Sequence, residues 1–89
     1  MGTSIKIEAS RGENTTKEQW DILTKYFEEN FGESKGDNDY LTSGVIYCSY
    51  SMAELKIVIN DKIREELKGS GIDLYFYYLE VEPDDSLTL

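Results

Sequence analysis

Apolar and polar residues alternate over 4–9, SIKIEA, which is the period of a strand with one face on a core. The turn-rich stretch SRGEN at 10–14 follows, and then the period changes. Trp20, Leu23, Phe27 and Phe31 recur at helical spacing and share one stripe. Thr15 with Glu18 three residues on has the form of a capping box, and Gly32 suits a helix end. A helix over 16–31 is predicted. GESKGDND at 32–39 is polar and acidic, the composition of a surface loop.

YLTSGVIYCSY at 40–50 is strand material. Ser43-Gly44 in its middle is either a tight hairpin turn or a bulge in one longer strand. Ser51 with Glu54 forms a second capping box, and Met52, Leu55, Ile59, Ile63 and Leu67 fall on one helical face. The preferred reading is a helix over 52–68, followed by Gly69, with Arg64 and Lys68 near its end. ELKIVIN at 54–60 also alternates and is rich in β-branched residues, so a strand there followed by a helix at 61–68 is the rival. A last strand is predicted over 72–82. It sets Ile72, Leu74, Phe76 and Tyr78 on one face and Tyr75, Tyr77, Leu79 and Val81 on the other. Pro83 ends the strand, and 84–89 is expected to be a frayed acidic tail behind a single domain spanning 1–83.

Either reading of 54–60 leads to the same fold class. That class is α+β, a ferredoxin-like β-α-β(β)-α-β sandwich with two helices on one face of an antiparallel sheet. Its expected core is Ile5, Ile7, Trp20, Leu23, Phe27, Phe31, Val45, Tyr47, Leu55, Ile59, Ile63, Leu74 and Phe76. Eighty-nine residues make one modest core with little spare stability.

Composition adds mainly exclusions. No run approaches the roughly 20 apolar residues of a bilayer span, and the first eight residues carry charges where a secretion leader would be apolar. One cysteine, Cys48, excludes an intrachain disulfide and suits a reducing, cytoplasmic setting. It is expected to be a buried thiol. The chain has no histidine, which removes the commonest general base and any Ser-His or Cys-His nucleophile. Asp37-Asn38-Asp39 lacks the glycine and distal glutamate of a calcium loop, and zinc would find too few ligands. KGSG at 68–71 follows a helix instead of opening one, so it is no phosphate cradle. The expectation is a non-enzymatic protein with no cofactor and no metal.

Charge changes the picture most. The 18 acids and 9 bases give a net charge of -9. The first 27 residues are neutral, with Glu8, Glu13, Glu18 and Asp21 against Lys6, Arg11, Lys17 and Lys25. The whole surplus therefore lies in 28–89. Such a field repels phosphate backbones and membrane surfaces and attracts basic partners. Tyr75 and Tyr77 resemble a base-stacking pair, but the same strand carries Asp73, Glu80 and Glu82 and no cation, so direct nucleic-acid binding is not expected.

A basic protein or ribonucleoprotein effector is the expected partner. The candidate contact residues are the acids Glu28, Glu29, Glu33, Asp37, Asp39, Glu80, Glu82, Asp84 and Asp85 with the aromatic Tyr75 and Tyr77. Carboxylates at phosphate-like spacing would let the chain act as a DNA mimic, inhibiting or modulating a nucleic-acid-handling complex. Phage or mobile-element anti-defence proteins, anti-CRISPR proteins among them, offer the analogy by class. The alternative is a homodimeric sheet domain with a regulatory or small-ligand role, paired through its final strand.

Overall fold

The ambiguous segment after Ser51 is helical. The Ser51 hydroxyl oxygen accepts from the Glu54 amide at 3.2 Å and donates to the Glu54 carboxylate at 3.0 Å. Met52, Leu55, Ile59, Ile63 and Leu67 are buried along one stripe. The β-branched run at 57–59 opposes a helix by only some tenths of a kcal/mol per residue, roughly. Burying five large side chains at about 1.5–3 kcal/mol each decides the matter.

The computed structural model describes residues 3–32, 35–78 and 82–89. Its elements run β1 (Thr3–Ser10), α1 (Lys17–Phe31), β2 (Lys35–Gly36), β3 (Tyr40–Thr42), β4 (Ile46–Cys48), α2 (Met52–Leu67), β5 (Asp73–Tyr77) and β6 (Asp85–Thr88). Two helices thus pack with a six-stranded antiparallel sheet. The strand order is β2-β3-β1-β5-β6, with β4 also on β1. This is not the order of a plain four-stranded ferredoxin-like sheet. The stretch expected as a loop at 32–39 contributes β2, and the tail expected to fray forms β6. The predicted last strand stops at Tyr77; its continuation at 79–81 lies outside the described residues.

Helix α1 starts one residue later than its sequence suggests. Thr16 is the N-cap: its Oγ1 accepts from the Gln19 amide at 3.1 Å, and Gln19 Oε1 accepts from the Thr16 amide at 2.9 Å. Thr15 and Glu18 are therefore not the capping pair. Gly32 closes the helix with φ of 76°, the left-handed conformation that glycine adopts without strain.

Alternation along β1 sorts the sheet into two faces. Ile5, Ile7 and Ala9 are fully buried beneath the helices, joined by Leu41, Leu74 and Phe76, while Trp20, Leu23 and Phe27 descend from α1. Lys6, Glu8 and Ser10 point to the opposite face and are half-buried. Among the described residues no helix is long and apolar enough to cross a membrane.

Candidate docking surface

The chain at 40–48 follows β1 in two registers. In the first, Ser10 pairs with Tyr40, Ala9 with Leu41 and Glu8 with Thr42. In the second, Ile5 pairs with Ile46, Ser4 with Tyr47 and Thr3 with Cys48. One extra residue lies between them, so 43–45 is a bulge in an interrupted strand, the second of the two possibilities its sequence left open. Ser43 makes the bulge possible. Its amide donates to the Ile7 carbonyl at 2.9 Å, and its Oγ accepts from the Ile7 amide at 3.0 Å, standing in for a ladder carbonyl.

The extra residue reverses which side chains face the core. Leu41 and Ser43 point inward before the bulge, and Ile46 points inward after it. Val45 and Tyr47, expected in the core, are instead 59% and 76% exposed. Together with Ile46 and Tyr50 they form one wall of a groove of about 420 Å³. Tyr26, Asn30 and Phe31 from the end of α1 form the other, and Leu55 and Val58 of α2 complete it. Phe31 is only partly buried, packed on the core's margin with edge-on contacts to Tyr26 and Phe27 at 5.8 and 5.3 Å between ring centres. Burial raises the Tyr26 hydroxyl above its ordinary pKa.

Among the described residues no acidic side chain lines this groove; Glu29 lines the neighbouring groove between the helices, together with Lys25, Lys62 and Glu66. Glu28 and Glu29 are exposed in the last turn of α1, which holds no basic residue. A helix C-terminus carries partial negative charge, so carboxylates there are held against the local field by about 0.3–1 kcal/mol each. Glu29 is relieved slightly by Lys25 at 3.8 Å, an exposed pair of little consequence. On α2, Glu54 lies one turn before Val58 and on the same side. From 36 to 55 the sequence contains no lysine or arginine.

The other expected contact residues do not gather here. Asp37 and Asp39 lie at the opposite end of β1, beside Arg11, whose amide donates to the Asp39 carbonyl at 2.9 Å. The Asp37 carboxylate accepts from the amides of Asp39 and Tyr40 at 2.8 and 3.0 Å, shaping the turn between β2 and β3. Asp84 accepts from the Tyr78 amide at 2.9 Å in the connection between β5 and β6, where Glu82 is exposed. Asp85 pairs with Lys56 at 2.9 Å. That hydrogen bond, with the Ser86 amide, lowers its pKa. Glu33 and Glu80 lie outside the described residues.

Tyr77 is only 8% exposed and Tyr75 half-buried. On the sheet's helix-free face Tyr77 donates to Glu8 at 2.9 Å, and Lys6 sits 4.8 Å over its ring and 3.2 Å from Glu8. Burial pushes the Glu8 carboxyl up, but hydrogen bonds from Tyr40, Tyr77 and Lys6 together outweigh it, so the group titrates below its usual range. Burial and the bond to Glu8 push both tyrosines up to about 12. This cluster could not be found by reading along the chain, because only the cross-strand register unites its members. It makes Tyr77 an architectural residue. The outer edge of β5 is also taken, by β6, so it is not open to a second copy.

Among the described residues no group of three or more Cys, Asp or Glu side chains could hold a metal ion. Comparison with known proteins finds no matching family model, no matching curated protein and no matching solved structure.

Proposed function

We propose that this chain is a non-enzymatic interaction domain that docks a basic protein at the corner formed by the end of α1, strand β4 and the start of α2. The observation that carries the reading is the meeting of exposed apolar and aromatic side chains with carboxylates placed against a helix dipole. Val45, Tyr47 and Tyr50 flank the groove at 59%, 76% and 42% exposure, and Glu28 and Glu29 are exposed in the turn of α1 that supplies Asn30 and Phe31 to it, a turn without a base. Aromatic anchors supply contact area and surrounding charge steers the encounter. A local arrangement that works against its own helix is the kind of conflict expected at a functional surface.

The net charge of -9 supports a partner with a concentrated basic surface, as proteins that handle nucleic acid possess. Blocking such a surface would make the chain an inhibitor or modulator of that partner. The order of its elements supports reading the fold as a ferredoxin-like sandwich elaborated by the bulge and by β6.

The test is capture of partners from the native host with wild type and with a Glu28→Lys, Glu29→Lys, Tyr47→Ala variant. A basic protein retained at low salt, released at about 0.3 M salt where charge is screened, and missed by the variant is the expected result. Equal capture by both forms refutes the corner as the docking surface.

A further inference from the structure

The groove at the docking corner does not end at α1. Tyr26 and Asn30 line it, and they also line the second groove, of about 510 Å³, between the two helices. The Asn30 amide donates to the Tyr26 carbonyl at 2.9 Å, so one turn of α1 forms a saddle that joins the two. From Ile22 to Phe31 the joined trough follows α1 for about 13 Å, the length of about four extended residues. Its two halves differ in chemistry. Among the described residues the corner half is lined by no charged side chain. The half between the helices holds Lys25 and Lys62 against Glu29 and Glu66, a balanced set in a chain of net charge -9. Lys25 and Glu29 are paired with each other at 3.8 Å. Lys62 and Glu66 are exposed on α2 and make no ion pair among the described residues. One cation and one anion on the same wall are thus left to whatever lies in the trough.

Resting on the docking reading above, we propose that the trough takes a segment of the partner that is apolar at one end and carries both an acid and a base at the other. The apolar end seats in the corner toward Phe31 and Val58, and beyond the saddle the acid meets Lys62 and the base meets Glu66. Both halves are open to solvent along one side. A small ligand is held with about 70–90% of its surface buried, so a trough of this shape suits a stretch of polypeptide instead. The two ranges of the electrostatics then divide the work. The net charge draws a basic partner from a distance, and the balanced half selects within it, because a second base there would be set against Lys25 and Lys62.

The experiment follows backbone amide resonances of the full chain as two synthetic peptides are added. The first carries leucines at one end and an aspartate and an arginine at the other. The second has a further arginine in place of the aspartate. The first should shift resonances in both halves, around Val45 and around Ile63. It should also bind about threefold more tightly than the second, although the second is the more positive. Lys62→Glu, at an exposed position, should reverse that preference, because the wall then holds two carboxylates and no free cation. Tighter binding of the doubly basic peptide by wild type overturns the proposed selection and leaves the docking corner standing. Shifts confined to the corner, equal for both peptides, overturn the joined trough in the same way. If neither peptide perturbs either half, the trough and the docking corner both fall.

Discussion

The two ends of the sheet are built on opposite plans. At the Ser10 end, three connections and Leu89 are tied together by hydrogen bonds to backbone groups. The Thr15 hydroxyl donates to the Ser70 carbonyl and accepts from the Gly12 amide, each at 2.9 Å. Gly71 donates to Leu89, and Leu89 to Ile72. Arg11 reaches the carbonyls of Asn38 and Thr15, and the Trp20 indole donates to Asp37 at 2.9 Å. At the Ile5 end, large apolar side chains stand exposed around a groove and carboxylates oppose a helix dipole. The contrast teaches that the bonds that hold the fold are concentrated at one end, while the other end leaves apolar and acidic side chains on the surface, as the proposed docking role requires. The first end has little that can change without loss, and the second has much that can.

The largest expected effect comes from breaking the tied end. A Cβ added at Gly12 would lie 2.4 Å from the Gly71 carbonyl oxygen and 2.6 Å from its carbon. Both are backbone and cannot swing aside. Gly12→Ala should therefore cost about 3 kcal/mol or more, read as a lowered urea midpoint with an unchanged slope. If the midpoint barely moves, the knot is not a rigid unit and the contrast weakens.

The bulge is the next place to press. Ser43→Ala leaves the buried Ile7 amide without its hydroxyl acceptor, which should cost about 1–3 kcal/mol. The same variant should alter exchange of the β4 amides, because the bulge sets the face that Val45 and Tyr47 present. Val45→Ser, by contrast, should move stability by no more than about 0.5 kcal/mol, as exposed positions do.

These residues also show how far the amino-acid order reaches. Both helices and β1 were legible because each follows a single period over several turns or pleats. Val45 and Tyr47 were misplaced because parity was carried through Ser43-Gly44 without a break, and only a side chain acting as a ladder acceptor breaks it. β6 was hidden because Asp84-Asp85 resembles a solvated tail until Lys56 is seen opposite. The Glu8, Tyr40 and Tyr77 cluster was invisible because its members are far apart in the chain. The candidate surface was only partly legible: Tyr77 proves to be buried against Glu8, while the exposed tyrosines by the groove are Tyr47 and Tyr50. Of the acids named, Glu28 and Glu29 are the pair in the last turn of α1, beside the residues that wall the groove.

The helix-free face responds to pH in a defined direction. Burial and the hydrogen bond to Glu8 push Tyr40 and Tyr77 up to about 12 in the folded chain, from the ordinary 10 of an exposed tyrosine. Between those values the unfolded chain loses protons that the folded chain keeps, so stability falls as pH rises from 10 toward 12. Glu8 works in reverse. Its pKa is lowered from 4.5, so its contribution is present above that value and is lost as acid protonates the folded carboxyl. Urea titrations across both ranges check the signs. Tyr77→Phe should flatten the alkaline fall, and a variant that titrates like wild type would remove Tyr77 from the cluster.

The smallest effect separates the two ends most sharply. Glu28 is exposed in the last turn of α1, where the dipole disfavours it, and no ion pair is found for it among the described residues. Glu28→Lys replaces an unfavourable charge by a favourable one and should stabilise the chain by about 0.5 kcal/mol. Binding to a basic partner should weaken in the same variant, by several-fold at low salt and less as salt rises. A paired gain in stability and loss of binding identifies a carboxylate kept for recognition at the expense of the helix. A gain in stability with binding unchanged would place the basic partner elsewhere on the surface. A loss of stability would mean that Glu28 serves the fold after all, and that the two ends are less different than their chemistry suggests.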